Sequence, residues 1–438
     1  MTLRLTVIGT GYLGVNQVAC LAELGYEVLG VDVDAAKIAA LSEARLPFFE
    51  PGLAALLDRH VRSGRARFTT SLAQAAAFGD VHLVCVGTPQ RRDGLGADVS
   101  QVRAAVDGLA PHLRRPCLVV GKSTVPVGTA AWMADRLAEL APAGSEVELA
   151  WSPEFLREGH AVDDTLRPDR LVLGVSSAAA EKTLRAVHER ALDAGTPVVV
   201  TDPTTAELVK VAANSFLATK ISFINAMAEL CEATGADVVA LADAIGHDER
   251  IGRKFLDAGL GFGGGCLPKD IRAFMARAGE LGVDQALTFL REVDAINMRR
   301  RSRMVELAEE ECDGVLGRRI GVLGAAFKPQ SDDVRDSPAL NVAAQLQLKG
   351  AHVGVFDPMA AGPAAAVFPT LDYAASAQEA AADADLVLVL TEWEEFRDLD
   401  PAVLGRVVAR RRVLDGRNAL DPERWRSAGW SYRALGRP

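Results

Sequence analysis

Cys266 is the one cysteine of six that lies in a run of glycines, GFGGGCLPKD at residues 261–270. A thiol attacks carbon as the thiolate, and a helix N-terminus favours that form through its unpaired amides. Pro268 suits the first turn of such a helix, and Lys269 and Asp270 follow one turn past the sulfur. Upstream, Lys210 and Asn214 stand four residues apart and so share one helix face. A lysine can stabilise an oxygen on which charge develops. The stretch SPEFLREG (152–159) sets Glu154 and Glu158 just after a strand-like run, where carboxylates could move protons. Singly, each is ordinary: a loop glutamate is usually solvated, and a Lys/Asn pair on a helix usually faces water. Together with a hydride acceptor, they describe oxidation through a covalent sulfur intermediate.

A hydride acceptor is what the N-terminus could hold. LRLTVI (3–8) reads as a buried strand, followed by GTGYLG, a helical pattern with Leu13, Val18, Leu21 and Leu24 on one side, and a second strand ending in Asp32. In that context Gly9 permits a tight turn, Gly11 lets backbone approach a pyrophosphate, and Gly14 lets helix and strand pack closely. Asp32 is placed to bind ribose hydroxyls and repel a 2′-phosphate, which favours NAD over NADP, with Lys37 positioned to soften that preference. Two further strand ends, Gly87-Thr88-Pro89 and Lys122-Ser123-Thr124-Val125-Pro126, carry polar residues where such a sheet gathers its ligands.

Apolar runs at 81–89, 117–126, 147–155 and 170–175 alternate with helical patterns, the signature of a parallel sheet with helices on both faces. From Thr204, with Glu207 as its capping-box partner, about 30 residues without Gly or Pro predict one long helix ended by Gly235. A helix of that length is expected to link domains and to pack against a second subunit. Strand-like runs return at RRIGVLGAAF, AHVGVFDP, 385–392 and 411–418, with helices near 338–349 and in the alanine-rich 374–384. The expected fold is α/β, two Rossmann-like doubly wound lobes joined by a long central helix, with domains at 1–203, 204–310 and 311–438.

Composition narrows the partners. At 438 residues, 49% hydrophobic and 24% charged, the chain can build more than one core. A net charge of −10 argues against nucleic acid as a partner. No membrane-length apolar segment and no signal peptide are read in the sequence. Six scattered cysteines without a CxxC pair suggest neither a disulfide framework nor a metal site, and fit a reducing, cytoplasmic setting.

Over nearly its whole length the chain resembles the UDP-glucose/GDP-mannose dehydrogenase family. The resemblance lies in GTGYLG, PFFEPGL (47–53), GTP (87–89), KSTVPVGT (122–129), SPEFLREG, AELVKVAANSFLATKISFINAMAELCEATGADV (206–238), RIGRKFLDAGLGFGGGCLPKD (250–270) and AFKPQSDDVRDSPAL (326–340). It implies a four-electron oxidation of a nucleotide-sugar at C6 to the uronic acid with two molecules of NAD. Cys266 resembles the nucleophile, and Lys210 with Asn214 the pair that stabilises the oxyanion and positions water. Asp270 resembles the supporting carboxylate, with Thr124 and Glu154 as further acid/base and water-handling groups. For the cofactor it implies Gly9, Gly11, Tyr12, Leu13, Gly14, Asp32, Lys37, Gly87, Thr88, Ser123, Thr124, Glu158, Lys269 and Arg335. For the substrate it implies Glu154, Phe155, Leu156, Arg157, Lys210, Asn214, Arg250, Phe255, Gly261, Lys328 and Arg417. Arg250 resembles an arginine that reaches a neighbouring subunit's substrate, which implies a homodimer or larger homo-oligomer. The three segments then become an NAD-binding domain, a central dimerisation domain and a nucleotide-sugar-binding domain.

The pattern departs from the family at three places. Gly265 replaces a usual serine, Ser152 a usual asparagine, and Asp257 lies in the base-binding region where a basic or neutral residue is common. UDP-glucose is the expected substrate, with TDP-glucose, GDP-mannose or a UDP-N-acetylhexosamine as alternatives; KISFIN disfavours the mannose type. A two-electron hydroxyacid dehydrogenase with a packing cysteine, and a non-enzymatic NAD-sensing scaffold, are the rival readings.

Overall fold

The computed structural model describes residues 3–438. Its strands are β1 (Arg4–Ile8), β2 (Glu27–Val31), β3 (Ala66–Thr69), β4 (Val81–Val84), β5 (Cys117–Gly121), β6 (Val147–Trp151), β7 (Leu171–Val175) and β8 (Val198–Thr201), then β9 (Arg319–Leu323), β10 (His352–Phe356), β11 (Asp372–Tyr373), β12 (Leu386–Val389), β13 (Arg412–Asp415) and β14 (Ser431–Ala434). The first eight form one sheet in the order β3-β2-β1-β4-β5-β6-β7-β8, and the last six a second in the order β11-β10-β9-β12-β13-β14. In each sheet the strand order reverses beside the first strand, the place where doubly wound sheets bind ligands. The α/β fold with two such sheets and a long helix between them is as the sequence predicts.

Packing divides the chain into two units, one reaching to Ala213 and including Arg272–Gly282, the other comprising Asn214–Ile271 and Val283–Pro438. In the first, Leu5, Val7, Val81, Leu83 and Val119 are sealed from solvent because helices cover both faces of the sheet, so its inner strands read as unbroken apolar runs. Ile8, Val84, Leu109 and Met133 build one layer of core and Leu5, Val18, Leu21 and Leu83 the other. In the second unit Ile320, Val322, Leu386, Leu388 and Leu414 play the same part.

The sheets differ from the sequence reading in two respects. β6 and β7 pair antiparallel, Ala150 against Val175 and Trp151 against Gly174, within an otherwise parallel sheet. β3 and β8 are edge strands: β3 (ARFT) carries no apolar run, and the three valines of β8 are half-buried or exposed. The alanine-rich 374–384 contains only the single turn Ala377–Ala380.

The long helix spans Pro203–Thr234, and Gly235 ends it at φ 76°. Its start corrects the expected capping box. Asp202, not Thr204, accepts the Thr205 amide at 2.9 Å, which leaves Pro203 in the first turn, where its missing N–H costs nothing. Glu207 turns away to accept the amides of Gly128 (2.8 Å) and Ala130 (2.6 Å), capping the helix Thr129–Leu140. The first turn of the long helix thereby braces the segment that carries Ser123 and Thr124.

Candidate active site

In the first unit the glycine turn has the geometry a dinucleotide needs. Gly9 sits at φ 92°, a left-handed conformation that favours glycine. A Cβ on Gly14 would stand 1.8 Å from the Gly9 carbonyl oxygen, so no side chain fits there. Gly11 precedes the helix Tyr12–Glu23 and a Cβ on it would meet nothing within 4 Å, so the space before the helix N-terminus is open. Amides at such an end are donors for phosphate. Asp32 accepts from the Thr10 amide (2.9 Å), the Thr10 hydroxyl (3.0 Å) and Lys37 Nζ (2.9 Å). Burial opposes its ionisation, but Lys37, the Thr10 and Asp34 amides and the Thr10 hydroxyl outweigh that and hold the carboxyl below its usual range. Lys37 is thus engaged with the carboxylate. These residues fit the adenosine end of NAD.

The other strand ends of this sheet come together. The Thr88 hydroxyl donates to the Thr124 carbonyl at 2.6 Å and the Ser123 hydroxyl to the Val86 carbonyl at 2.7 Å, so Gly87, Thr88, Ser123 and Thr124 form one cluster. Lys122, at the same strand end, turns inward: its buried ammonium donates to the Ser152 carbonyl at 2.9 Å and fixes the start of SPEFLREG. Burial pushes that ammonium below its usual pKa. Within the loop, Glu154 accepts the Leu156 amide at 2.5 Å and lies 3.2 Å from the buried Lys210 ammonium. Phe155 stands beneath the Arg170 guanidinium at 3.7 Å and near Lys210 at 5.5 Å. Arg157 is engaged with Asp164 at 2.5 Å. A cleft lined by Glu154, Phe155, Leu156, Lys122 and Arg170 opens beside this loop.

The helix Leu267–Glu280, of which Leu267–Ile271 belong to the second unit, begins directly after Cys266, whose carbonyl accepts the Asp270 amide at 2.9 Å. Cys266 is exposed, whereas the other five cysteines are buried or half-buried, and none forms a disulfide. Asp270, nearly sealed from solvent, accepts Asn214 Nδ2 at 2.7 Å and Lys269 Nζ at 2.5 Å. Three predicted residues thus share one buried hydrogen-bond network a turn from the thiol.

The glycines before Cys266 make room for other parts of the chain. A Cβ on Gly261 would lie 2.0 Å from Asn297 Oδ1, one on Gly263 2.4 Å from the Asp336 carbonyl, and one on Gly264 2.8 Å from the Phe327 ring. Asn297 clamps the loop from both sides, accepting the Phe262 amide (2.7 Å) and donating to the Phe262 carbonyl (2.9 Å). At Gly265 the space is filled by the Arg335 guanidinium, 2.4 Å from where a Cβ would be. The glycine in place of the usual serine therefore admits Arg335 to the edge of the thiol loop. Arg417 donates to the carbonyls of Gly261 (2.8 Å), Leu390 (2.9 Å) and Phe327 (3.3 Å) and pairs with Glu392, so it holds the same loop. Lys328 stands 5.7 Å from the Phe327 ring. Phe255 takes φ 66°, unusual for a bulky residue. Arg250 is exposed and bound to Asp248 at 2.6 Å. Asp257 is balanced by Arg253, which bridges it to Asp243.

Three successive segments match the NAD binding domain (3–192), the central domain (204–299) and the UDP binding domain (321–422) of the UDP-glucose/GDP-mannose dehydrogenase family. The chain belongs to that family. It is 42% identical to the UDP-glucose 6-dehydrogenase of Rhizobium meliloti, with the whole of both chains covered. It is 39% identical to UDP-glucose 6-dehydrogenase TuaD of Bacillus subtilis, over 99% of this chain and 93% of that one. Among solved structures, a UDP-glucose dehydrogenase from the archaeon Pyrobaculum islandicum superposes with a TM-score of 0.92 at 38% identity, covering 100% and 98% of the two chains. The family's NAD-binding domain coincides with the sheet that carries the Gly9–Gly14 turn, and its UDP-binding domain with the second sheet. Sequence reasoning misses Asn297 and reads Lys122 and Glu207 as a ligand-gathering strand end and a capping-box partner; all three act on backbone.

Proposed function

We propose that the chain oxidises the C6 alcohol of UDP-glucose to the carboxylate with NAD, through a thioester on Cys266. The observation that carries the reading is the thiol at a helix start with Asp270 one turn on, its carboxylate held by Asn214 and Lys269. The names of the relatives, and their match to both ends of the chain, support the substrate.

Bound NAD supplies the hydride acceptor, twice for each sugar, held by the turn at Gly9–Gly14, by Asp32 and by the cluster at Gly87, Thr88, Ser123 and Thr124. Lys210, buried and poised at Glu154, stabilises the alkoxide that forms as the alcohol loses its proton. The Cys266 thiolate adds to the aldehyde carbon, a C–S bond forms, and the carbonyl pair moves to oxygen as a thiohemiacetal. Loss of the second hydride leaves the thioester. Water, deprotonated by Glu154 or Asp270, adds to its carbonyl; the C–S bond breaks and the thiolate returns. Alcohol and water thus become carboxylate with loss of two hydrides and three protons. The thiol keeps the aldehyde from escaping between oxidations, a task a hydroxyacid dehydrogenase does not have.

The chain works as a homodimer. On the outer side of the long helix Phe216, Phe223 and Leu230 are 66%, 49% and 58% exposed and recur every seventh residue, an apolar seam suited to a second copy. Arg250 is the side chain offered across that interface. Six cysteines outside any disulfide fit a reducing compartment, and among the described residues no helix is long and apolar enough to cross a membrane.

The test is a panel of nucleoside-diphosphate sugars incubated with NAD, with NADH counted per sugar consumed. Two NADH per UDP-glucose is expected. A ratio of one contradicts the thioester route, and turnover of another sugar alone changes the substrate while leaving the chemistry.

A further inference from the structure

Glu50, in PFFEPGL, holds together two segments that the sequence sets more than a hundred residues apart. It is 4% exposed and its carboxylate takes three donors. The Tyr12 hydroxyl and the Gly159 amide (2.7 Å) reach Oε2, and the Ala161 amide (2.7 Å) reaches Oε1. Tyr12 is the first residue of the helix after the dinucleotide turn. Gly159 ends SPEFLREG, and Ala161 opens the short helix Ala161–Leu166. The Tyr12 ring packs on Phe48 at 5.0 Å, so the loop that carries Glu50 grips the tyrosine twice. Burial, reinforced by the hydrogen bond and charge of Glu50, holds the phenol well above its usual pKa, which keeps it the donor. The loop's other end is tied by Glu154 to Lys210 and by Lys122 to the Ser152 carbonyl. Its exit is held by Glu50 at Gly159 and Ala161 and by Asp164, which accepts the Arg157 amide at 2.8 Å.

We propose that Glu50 is a positioning residue that ties the dinucleotide turn to the carboxylate loop, so that the seating of NAD against Tyr12 and the placement of Glu154 and Glu158 are set together. This rests on the reading of Glu154 and Glu158 as working groups. A carboxylate suits the task because all its lone pairs accept. A glutamine would turn an NH₂ toward an amide N–H and leave a buried donor unmet.

The test uses full-length enzyme with UDP-glucose and NAD, comparing Glu50→Gln, Tyr12→Phe, the double variant and Glu154→Gln. Measured are kcat, both KM values, NADH affinity by fluorescence without sugar, and the melting temperature. Glu50→Gln should lower kcat and raise the KM for NAD, each roughly tenfold, the loss of about one charge-assisted hydrogen bond, with the KM for UDP-glucose unchanged. Tyr12→Phe should move the same two constants less, and the double variant should be no worse than Glu50→Gln alone, because the two act through one contact. A purely structural Glu50 would lower the melting temperature and the fraction of active sites with both KM values at wild-type levels, and that result overturns the proposal. If Glu50→Gln does not fold, Tyr12→Phe decides: wild-type kcat and KM for NAD overturn it. Full activity in Glu154→Gln would remove the reading of the loop as well, whereas an inert Glu50 beside a crippled Glu154→Gln would sink only the coupling.

Discussion

At the end of β1 the chain turns through Gly9, whose amide donates to the Val31 carbonyl at 2.8 Å; at the end of β9 it turns through Gly324, whose amide donates to the Phe356 carbonyl at the same distance. Both glycines are left-handed, at φ 92° and 114°, and both turns point an amide at an aspartate just past the neighbouring strand, Asp32 and Asp357. Beyond this the two part. Asp32 is half-buried and takes its donors from Thr10, Asp34 and Lys37. Asp357 is 3% exposed and accepts the amides of Ala325, Ala326, Met359 and Ala360 and the Trp393 indole. After Gly9 a helix starts three residues on, with its N-terminus open over Gly11. After Gly324 the next helix begins only at Pro338, and its Ser337 cap donates to the Ala325 carbonyl and accepts the Leu340 amide. One fold element thus serves twice, once as a turn open before a helix and once as a closed structural knot. The exposure of the aspartate and the open helix end make the difference.

Three substitutions probe that contrast. Asp357→Ala should be the most damaging, because it strands five buried donors; a loss on the order of 4 kcal/mol is expected, read as a lower denaturation midpoint. A soluble variant with an unchanged midpoint would mean that the second turn is not a knot. Asp32→Ala should spare the fold and raise the KM for NAD roughly tenfold. It should also narrow the preference over NADP, since Lys37 is then released toward a 2′-phosphate. Equal loss of stability in the two variants would erase the distinction. The mildest is Gly265→Ser, which meets only the far end of the Arg335 side chain, 62% exposed. It should cost under about 1 kcal/mol of stability and act by displacing Arg335, visible as a change in the KM for NAD. A large fall in melting temperature would show that the guanidinium cannot move.

The sequence makes the first turn legible because every requirement is local: glycines at fixed spacing, a strand before, a helix after, an acid at the next strand's end. The thiol at a helix start is legible for the same reason. The closed turn is not, since GVLGAAF and VFDP look much like an open one until Trp393 and Ser337 arrive from distant segments. Glu207 and Glu50 were hidden in the same way: each looks like a helix-start or loop carboxylate, yet each caps backbone that lies far away in sequence. The antiparallel β6–β7 pair escapes because an apolar run carries no direction. The glycines at 261–265 are plain in the sequence, but what fills the space beside them, Asn297, Phe327, Asp336 and Arg335, are contacts that only the fold supplies.

The proposed function divides the labour, with dinucleotide chemistry on the first unit and the covalent step on Cys266 of the second. Cys266→Ser tests it most directly, by measuring NADH affinity and uronic acid formation from UDP-glucose on the same preparation. The expected result is unchanged NADH binding with acid formation lowered by at least about 1000-fold. Acid released at the wild-type rate, with two NADH per sugar, would contradict it.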